Sequence, residues 1–315
     1  MSEQYIFTLN ENVTREHVSF KNRYGITIAA DLYYAKDIDK AVKHPAVVIG
    51  PPYSGSKEQG PGVYANELAQ RGFVALAIDP PYYGESGGEP RFVSSPELYA
   101  EGFSAGVDYL GVKVPFVDRE KIAAIGICGS GGFALSAAQV DVRIKAVVTA
   151  ALVDISSNRQ MMTPEQVEAT KKALCEQRWK DFESGEPEVN HSFPATVSEK
   201  IPDEITDPMA REFFSFYGLK RGHHPNARGG FTTTSNLAFM QFKCLDYITE
   251  ISPRPILLIA GENAQTKPLS EMVYAAAAEP KELVIVPNAN HVDLYDDVTK
   301  IPFDKIENFL KKALK

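Results

Sequence analysis

Residues 121–138 constrain this chain more tightly than any other stretch. Lys121-Ile122-Ala123-Ala124-Ile125 is an apolar run with the length of a buried strand, and Phe133-Ala134-Leu135-Ser136-Ala137-Ala138 reads as a helix packed by small residues. Between them stands Gly126-Ile127-Cys128-Gly129-Ser130-Gly131. A strand that turns into a helix over so few residues needs small side chains around the apex, and it lifts the apex side chain above the end of the sheet. This is the pattern of a nucleophile elbow, G-x-S-x-G, with cysteine in place of serine. The helix N-terminus behind it offers free N–H groups and the positive end of a dipole, both favourable to a thiolate. With an imidazolium nearby, such a site lowers a cysteine pKa from about 8.5 toward neutrality. The template also fits one register later, over Cys128-Gly129-Ser130-Gly131-Gly132, with Ser130 at the apex. A strand of about five residues counted from Ile122 ends at Gly126 and favours Cys128; Ser130 stays the alternative. A dinucleotide-binding turn would follow the first strand of a domain, whereas several strands precede this one.

The periodicity around the elbow alternates. Residues 16–20 and 26–33 flank the turn Asn22-Arg23-Tyr24-Gly25 with period two, as an antiparallel hairpin at a sheet edge does. Continuous apolar runs follow at 46–49, 72–78, 144–148, 255–259 and 282–286, of the kind found in parallel strands covered on both faces. Helical patterns lie near 62–71, 95–110 and 301–315. Strands alternating with helices predict an α/β fold, a mostly parallel twisted sheet with helices on both faces. From 154 to 251 the alternation breaks. No core strand is visible there, and Thr163-Pro164-Glu165 opens a helix with a capping residue and a proline at its first position. The organisation expected is a core domain of residues 1–153 and 252–315 with a mainly helical lid inserted as residues 154–251.

A length of 315 residues accommodates one large domain with such an insertion. The formal charge of −8 argues against nucleic acid or an anionic membrane as partner, since both require a basic face. No apolar run has the length of a membrane span, and the first residues lack the features of a signal peptide. The cysteines at 128, 175 and 244 are odd in number and widely spaced, forming neither a disulfide framework nor a metal pattern. A reduced, cytoplasmic setting is expected. Neither a metal nor any other cofactor is called for, and homo-oligomerisation is left open.

A nucleophilic cysteine needs a base. On elbows of this kind the histidine follows the last strand, and His291, in Pro287-Asn288-Ala289-Asn290-His291, stands directly after 282–286. His191, His223 and His224 fall in the expected lid, and the last two lack the further ligands of a metal site. A carboxylate usually orients the imidazole. Glu262, the acid of the loop after 255–259, is the first choice, and Asp154, after 144–148, is the alternative; Asp293 follows the histidine too closely. The oxyanion of an acyl-transfer intermediate needs two backbone donors. One is expected from Gly129. The other falls to the loop Gly50-Pro51-Pro52-Tyr53, where the prolines have no N–H and Tyr53 is the first able donor, by its amide or its hydroxyl.

From about Phe20 onward the chain resembles α/β-hydrolases of the dienelactone-hydrolase-like and acetyl-xylan-esterase-like kind. The segments that carry the resemblance are Lys57-Glu58-Gln59, Gly84-Glu85-Ser86-Gly87-Gly88-Glu89-Pro90-Arg91, the elbow itself, and His291-Val292-Asp293-Leu294-Tyr295-Asp296. The resemblance implies a Cys128–His291–acid triad and hydrolase activity without naming a substrate. Asp79 and Glu85 are expected to bond the backbone of the 84–91 loop, and Lys57-Glu58-Gln59 to act in loop structure or, alternatively, in poising the thiol. The leading expectation is a hydrolase of an ester, lactone or thioester. Its small-molecule acyl substrate is apolar or aromatic if lid aromatics such as Phe213, Phe231 and Phe239 line the site. Acyl transfer or cyclisation through the same acyl-enzyme is the second expectation, and a non-catalytic small-molecule binding protein the third.

Overall fold

The elbow strand lies in the middle of an eight-stranded sheet in the computed structural model, which describes residues 4–315. The strands are β1 (Val13–Lys21), β2 (Thr27–Ala35), β3 (His44–Gly50), β4 (Val74–Ile78), β5 (Val117–Ile127), β6 (Ile144–Ala150), β7 (Ile256–Gly261) and β8 (Lys281–Val286). Their spatial order is β1-β2-β4-β3-β5-β6-β7-β8. The β1–β2 hairpin and the β2–β4 pair are antiparallel, and every later pair is parallel. Both faces of the central strands are covered, which explains their unbroken apolar runs.

One face carries α2 (Pro96–Lys113) and α3 (Gly129–Val140), with Phe103, Val107, Leu110 and Phe133 in its core. The other carries α1 (Gly60–Gln70), with Tyr64 and Leu68, and the C-terminal helix Phe303–Ala313, with Ile306 and Leu310. Between β6 and β7 the chain forms α4 (Pro164–Ser184), α5 (Pro208–Tyr217) and α6 (Asn236–Gln241) and no named strand. Thr163 and Gln166 close a capping box on α4, and Gly185 ends it in the left-handed region. Leu174 is the one residue buried on α4, whereas α5 sinks Phe214, Phe216 and Tyr217 into the protein. Trp179 on α4 stays exposed. After β7 comes α7 (Lys267–Ala276), and after β8 a single turn, α8 (Asp293–Asp296), so that the C-terminal helix is α9. No described helix is long and apolar enough to cross a membrane.

The turn from β5 into α3 places Cys128 at the apex, with φ +53°. Such a conformation costs a non-glycine residue about 1–3 kcal/mol and persists where the surroundings over-determine it. Here the Cys128 N–H donates to the Ala150 carbonyl at 2.8 Å, and its own carbonyl accepts from Gly131 and Val153, both at 2.9 Å. Ser130, the alternative apex, instead sits buried in the first turn of α3, its side chain packed at Gly50. The neighbouring glycines are sterically required. A Cβ on Gly126 would stand 2.1 Å from the Ser130 carbonyl oxygen, and one on Gly129 would stand 2.7 Å from Tyr53 Cβ. Because the clash at Gly126 is with backbone, Gly126→Ala should lose more than about 3 kcal/mol of stability. Urea unfolding of the purified variant measures this, and a midpoint equal to wild type would contradict the described turn.

Candidate active site

Tyr53, from the loop after β3, Gly129, at the start of α3, and Tyr295, on α8, surround Cys128. Hydrogen bonding that the Tyr53 and Gly129 N–H groups and the Tyr295 hydroxyl offer the sulfur favours the thiolate. The Tyr53 hydroxyl is committed elsewhere, 2.6 Å from Ser94 Oγ, while its ring lies 4.2 Å from that of Phe231. Of the two ways Tyr53 could enter the site, the arrangement leaves the amide.

His291 follows β8 as expected and is 2% exposed. Its Nε2 lies 2.9 Å from the Tyr295 hydroxyl, and its Nδ1 is hydrogen-bonded to the hydroxyl of Thr266. The edge of Phe213 closes the remaining side, with ring centroids 5.2 Å apart. Neither expected carboxylate reaches the imidazole. Glu262 is exposed and accepts a hydrogen bond from the Asn288 N–H at 2.9 Å, tying the loops after β7 and β8 together on their solvent side. A carboxylate left in water keeps its hydration and has no need of the buried ring. Asp154 is buried but caps the following turn, accepting from the Ser156 N–H at 2.9 Å and the Ser156 hydroxyl at 2.6 Å. Asp293 accepts from Lys300 at 2.7 Å and from Arg221 at 3.2 Å.

Sequence reasoning missed Thr266 and Tyr295. Thr266 lies in the loop where an acid was sought, and a search confined to carboxylates passes over it. Tyr295 lies four residues beyond His291, a spacing that stacks side chains across one helical turn. The consequence for charge reverses the thiolate expectation. With no carboxylate beside it, burial drives the His291 pKa down to about 3, so the ring is neutral at physiological pH. Burial likewise pushes the Cys128 thiol above its ordinary value, only partly offset by its three donors. The resting site holds a thiol and an imidazole rather than an ion pair.

The remaining candidates lie apart from the thiol. The Lys57 ammonium is buried among carboxylates, bonded to Glu58, 2.6 Å from Glu85 and 3.6 Å from Asp79. Glu58, Asp79 and Glu85 converge closely enough to hold a metal ion, but that ammonium already serves as their cation. Asp79 bonds the loop backbone as expected, accepting from Lys57 N–H and Glu85 N–H, each at 2.8 Å. Glu85 does not, and turns to Lys57. His191 Nδ1 meets the Gly229 carbonyl at 2.9 Å, His223 Nε2 lies 3.3 Å from the Pro194 carbonyl, and His224 is buried 3.9 Å from Glu58.

Above Cys128 opens a cavity of about 570 Å³. Its walls include Met161, Phe193, Met209, Phe213, Tyr217 and Phe231 from the segment between β6 and β7, facing Tyr53, Thr266, Leu269 and Tyr295. Among the described residues no charged side chain lines it.

No family model matches the sequence. The chain is 47% identical to uncharacterized protein PA2218 of Pseudomonas aeruginosa over 98% of its length and 83% of that protein's. The crystal structure of that protein superposes with a TM-score of 0.93, over 100% of this chain and 98% of the other. Uncharacterized protein YcjY of Escherichia coli K12 is 34% identical over 89% of this chain and 92% of its own. The α/β hydrolase GrgF from Penicillium sp. sh18 shares the fold with a TM-score of 0.79 at 23% identity, over 96% of this chain and 99% of its own. This chain has the α/β-hydrolase fold. A more distant relative, thiohydrolase aneE of Aspergillus aculeatus, is 25% identical over 90% of this chain and 88% of its own.

The buried imidazole makes stability depend on pH. Unfolded, it takes up a proton near pH 6.5; folded, it does so only near pH 3. The unfolded state therefore binds more protons below pH 6.5, and stability is lost as pH falls. Between pH 7.5 and 4.5 the loss from this group amounts to about 2–3 kcal/mol. Asp79, raised to about 7 by burial, acts with the opposite sign, but it is common to wild type and variant. His291→Gln should therefore lose about 2–3 kcal/mol less than wild type over that interval, as urea unfolding at the two pH values would register. Equal losses would place the imidazole in water.

Proposed function

We propose that this α/β-hydrolase cleaves a thioester or ester of a neutral, apolar acyl group, with Cys128 as nucleophile. The observation that carries this reading is the position of Cys128: at the elbow apex, flanked by two backbone donors and opening into an uncharged cavity. The thiohydrolase name of the distant relative supports a thioester, an acyl group activated enough for a neutral thiol to attack. In the reaction the sulfur adds to the carbonyl carbon, and the developing oxyanion is received by the N–H groups of Gly129 and Tyr53. Donors of this kind are worth on the order of 3 kcal/mol each in the barrier. Collapse expels the leaving thiol or alcohol with a proton and leaves a thioester on Cys128, which water then hydrolyses with His291 as general base. Thr266 holds the imidazole in place of an acid, and Glu262 and Asp154 play no part in the proton transfers. Residues 154–251 act as the lid that shapes the acyl site.

The motifs shared with dienelactone-hydrolase-like proteins support a common scaffold, not a common substrate. An uncharged cavity disfavours any carboxylate-bearing acyl group, because a buried ion without a partner costs several kcal/mol. A thiol only 6% exposed also limits the access of water to the acyl-enzyme, which favours transfer to another acceptor as the second reading. A cytoplasmic location suits the free thiol.

The test is a series of N-acetylcysteamine thioesters, hexanoyl, decanoyl and benzoyl against succinyl and glutaryl, with released thiol measured and acylated protein weighed by mass spectrometry. Neutral acyl groups should be turned over at least ~100-fold faster in kcat/KM than charged ones, and Cys128→Ala should abolish both turnover and the mass adduct. Added amine or alcohol acceptors that divert product from the free acid would select acyl transfer. Absence of any adduct across the series would reject the acyl-enzyme and leave a binding role.

A further inference from the structure

One side of α4 rests on the protein and the other faces water. Leu174 is its one buried residue, and on the same side Asp181 accepts from the Glu188 N–H at 3.0 Å and from the Thr234 hydroxyl at 3.4 Å. With 3.6 residues per turn, Cys175, Trp179 and Phe182 stand on the opposite side. All three are exposed, Trp179 to 66% and Phe182 to 88%. A single apolar residue at a surface is ordinary, but two large aromatics on one helix stripe mark a site of association. We propose that this face is an interface between two copies of the chain, paired antiparallel through α4 about a two-fold axis level with Gln177.

The spacing and the charges select a second copy as the occupant. Glu168, Lys172, Cys175, Trp179 and Phe182 recur at alternating intervals of four and three, the spacing of a seam between two helices. Antiparallel pairing about Gln177 puts Cys175 of each copy against Trp179 of the other. One turn outward, Lys172 falls opposite Phe182 and beside Glu183 of the second copy. Its stem covers the ring and its ammonium meets the carboxylate. Lys171 falls at the last turn of the second copy's α4, where the helix dipole and the exposed Glu186 present negative charge. Within their own chain the two lysines lie 3.6 and 4.0 Å from Glu168, at the limit of ion-pair reach. A parallel pair would set every charge of the stripe against itself. The stripe is thus complementary to its own two-fold copy in one orientation, as an isologous interface must be.

Its size sets the strength. Trp179 and Phe182 offer roughly 300 Å² per copy. With the flanking stems the two copies bury about 1,000 Å², the low end of specific interfaces, which implies a micromolar dissociation constant.

Sedimentation of the full chain between about 0.5 and 200 µM tests the pairing, and the mass should rise from monomer to dimer over that range. Trp179 is the only tryptophan, so the emission of wild type should move to the blue in step with the mass. Trp179→Glu and Phe182→Glu, at positions that lie in water in the single chain, should each weaken association at least ~30-fold. Lys172→Glu and Glu183→Lys should each weaken it at least ~3-fold, and together restore it to within ~2-fold of wild type. A monomer throughout, an assembly larger than two, or a dimer in which Trp179 keeps the emission of an exposed ring overturns the proposal. So does a dimer that Trp179→Glu leaves intact. A dimer that the double charge reversal fails to restore excludes the antiparallel register and overturns it equally.

Discussion

The backbone of Cys128 is the constraint on which the rest of the site depends. A left-handed residue at the junction of β5 and α3 is held only because Ala150, Gly131 and Val153 take up its N–H and carbonyl. Those three partners come from β6, from α3 and from the loop entering the segment between β6 and β7. The elbow apex is thus tied at once to the central sheet, to its own helix and to the start of the chain that roofs the cavity. Gly126 and Gly129 make room for this geometry, and Gly129 also lets the Tyr53 loop approach within donor range of the sulfur. One strained residue therefore sets the relation of the Cys128 thiol, the N–H groups beside it and the cavity.

The second organising feature is the absence of charge where charge is usual. Moving an ion pair into an apolar cavity costs more than its mutual attraction returns unless further hydrogen bonds complete it. Here the thiol is neutral, and beside it the Tyr295 phenol, the imidazole and the Thr266 hydroxyl form a neutral chain instead. Charge then develops only as bonds change, next to fixed N–H dipoles that need no reorganisation. A neutral resting thiol is also a poorer target for oxidation than a thiolate.

Much of this was legible in the sequence. The βα alternation and the elbow strand gave away the sheet, because buried parallel strands and tight glycine turns leave little freedom in residue choice. The positions of Cys128 and His291 in the fold were legible for the same reason: each is fixed by its place after a strand. The partner of His291 was not. Which loop side chain turns inward depends on the packing of the loops after β7 and β8 on each other, and Glu262 and Thr266 compete for that place only in three dimensions. Nor could periodicity separate Phe213 and Phe231, which line the cavity, from Phe239, which is core, or from the exposed Trp179.

The Lys57 cluster shows the opposite solution to the same electrostatic problem. There the buried carboxylates of Glu58 and Asp79 and the exposed carboxylate of Glu85 surround one buried ammonium, and Lys57 and Glu58 hold their charges because they are paired and hydrogen-bonded. Asp79, at the end of β4, grips the amide of Lys57 in the loop that carries Tyr53 and the amide of Glu85 in the next loop. This fixes the two loops to each other at the carboxyl ends of adjacent parallel strands. The Tyr53 N–H is held beside the thiol by a loop that has little freedom to move, so the oxyanion donor proposed for it is in place before any substrate arrives. Charge is spent on holding the scaffold still, away from the thiol, and the cavity beside the thiol is left neutral, which suits the apolar acyl group proposed above.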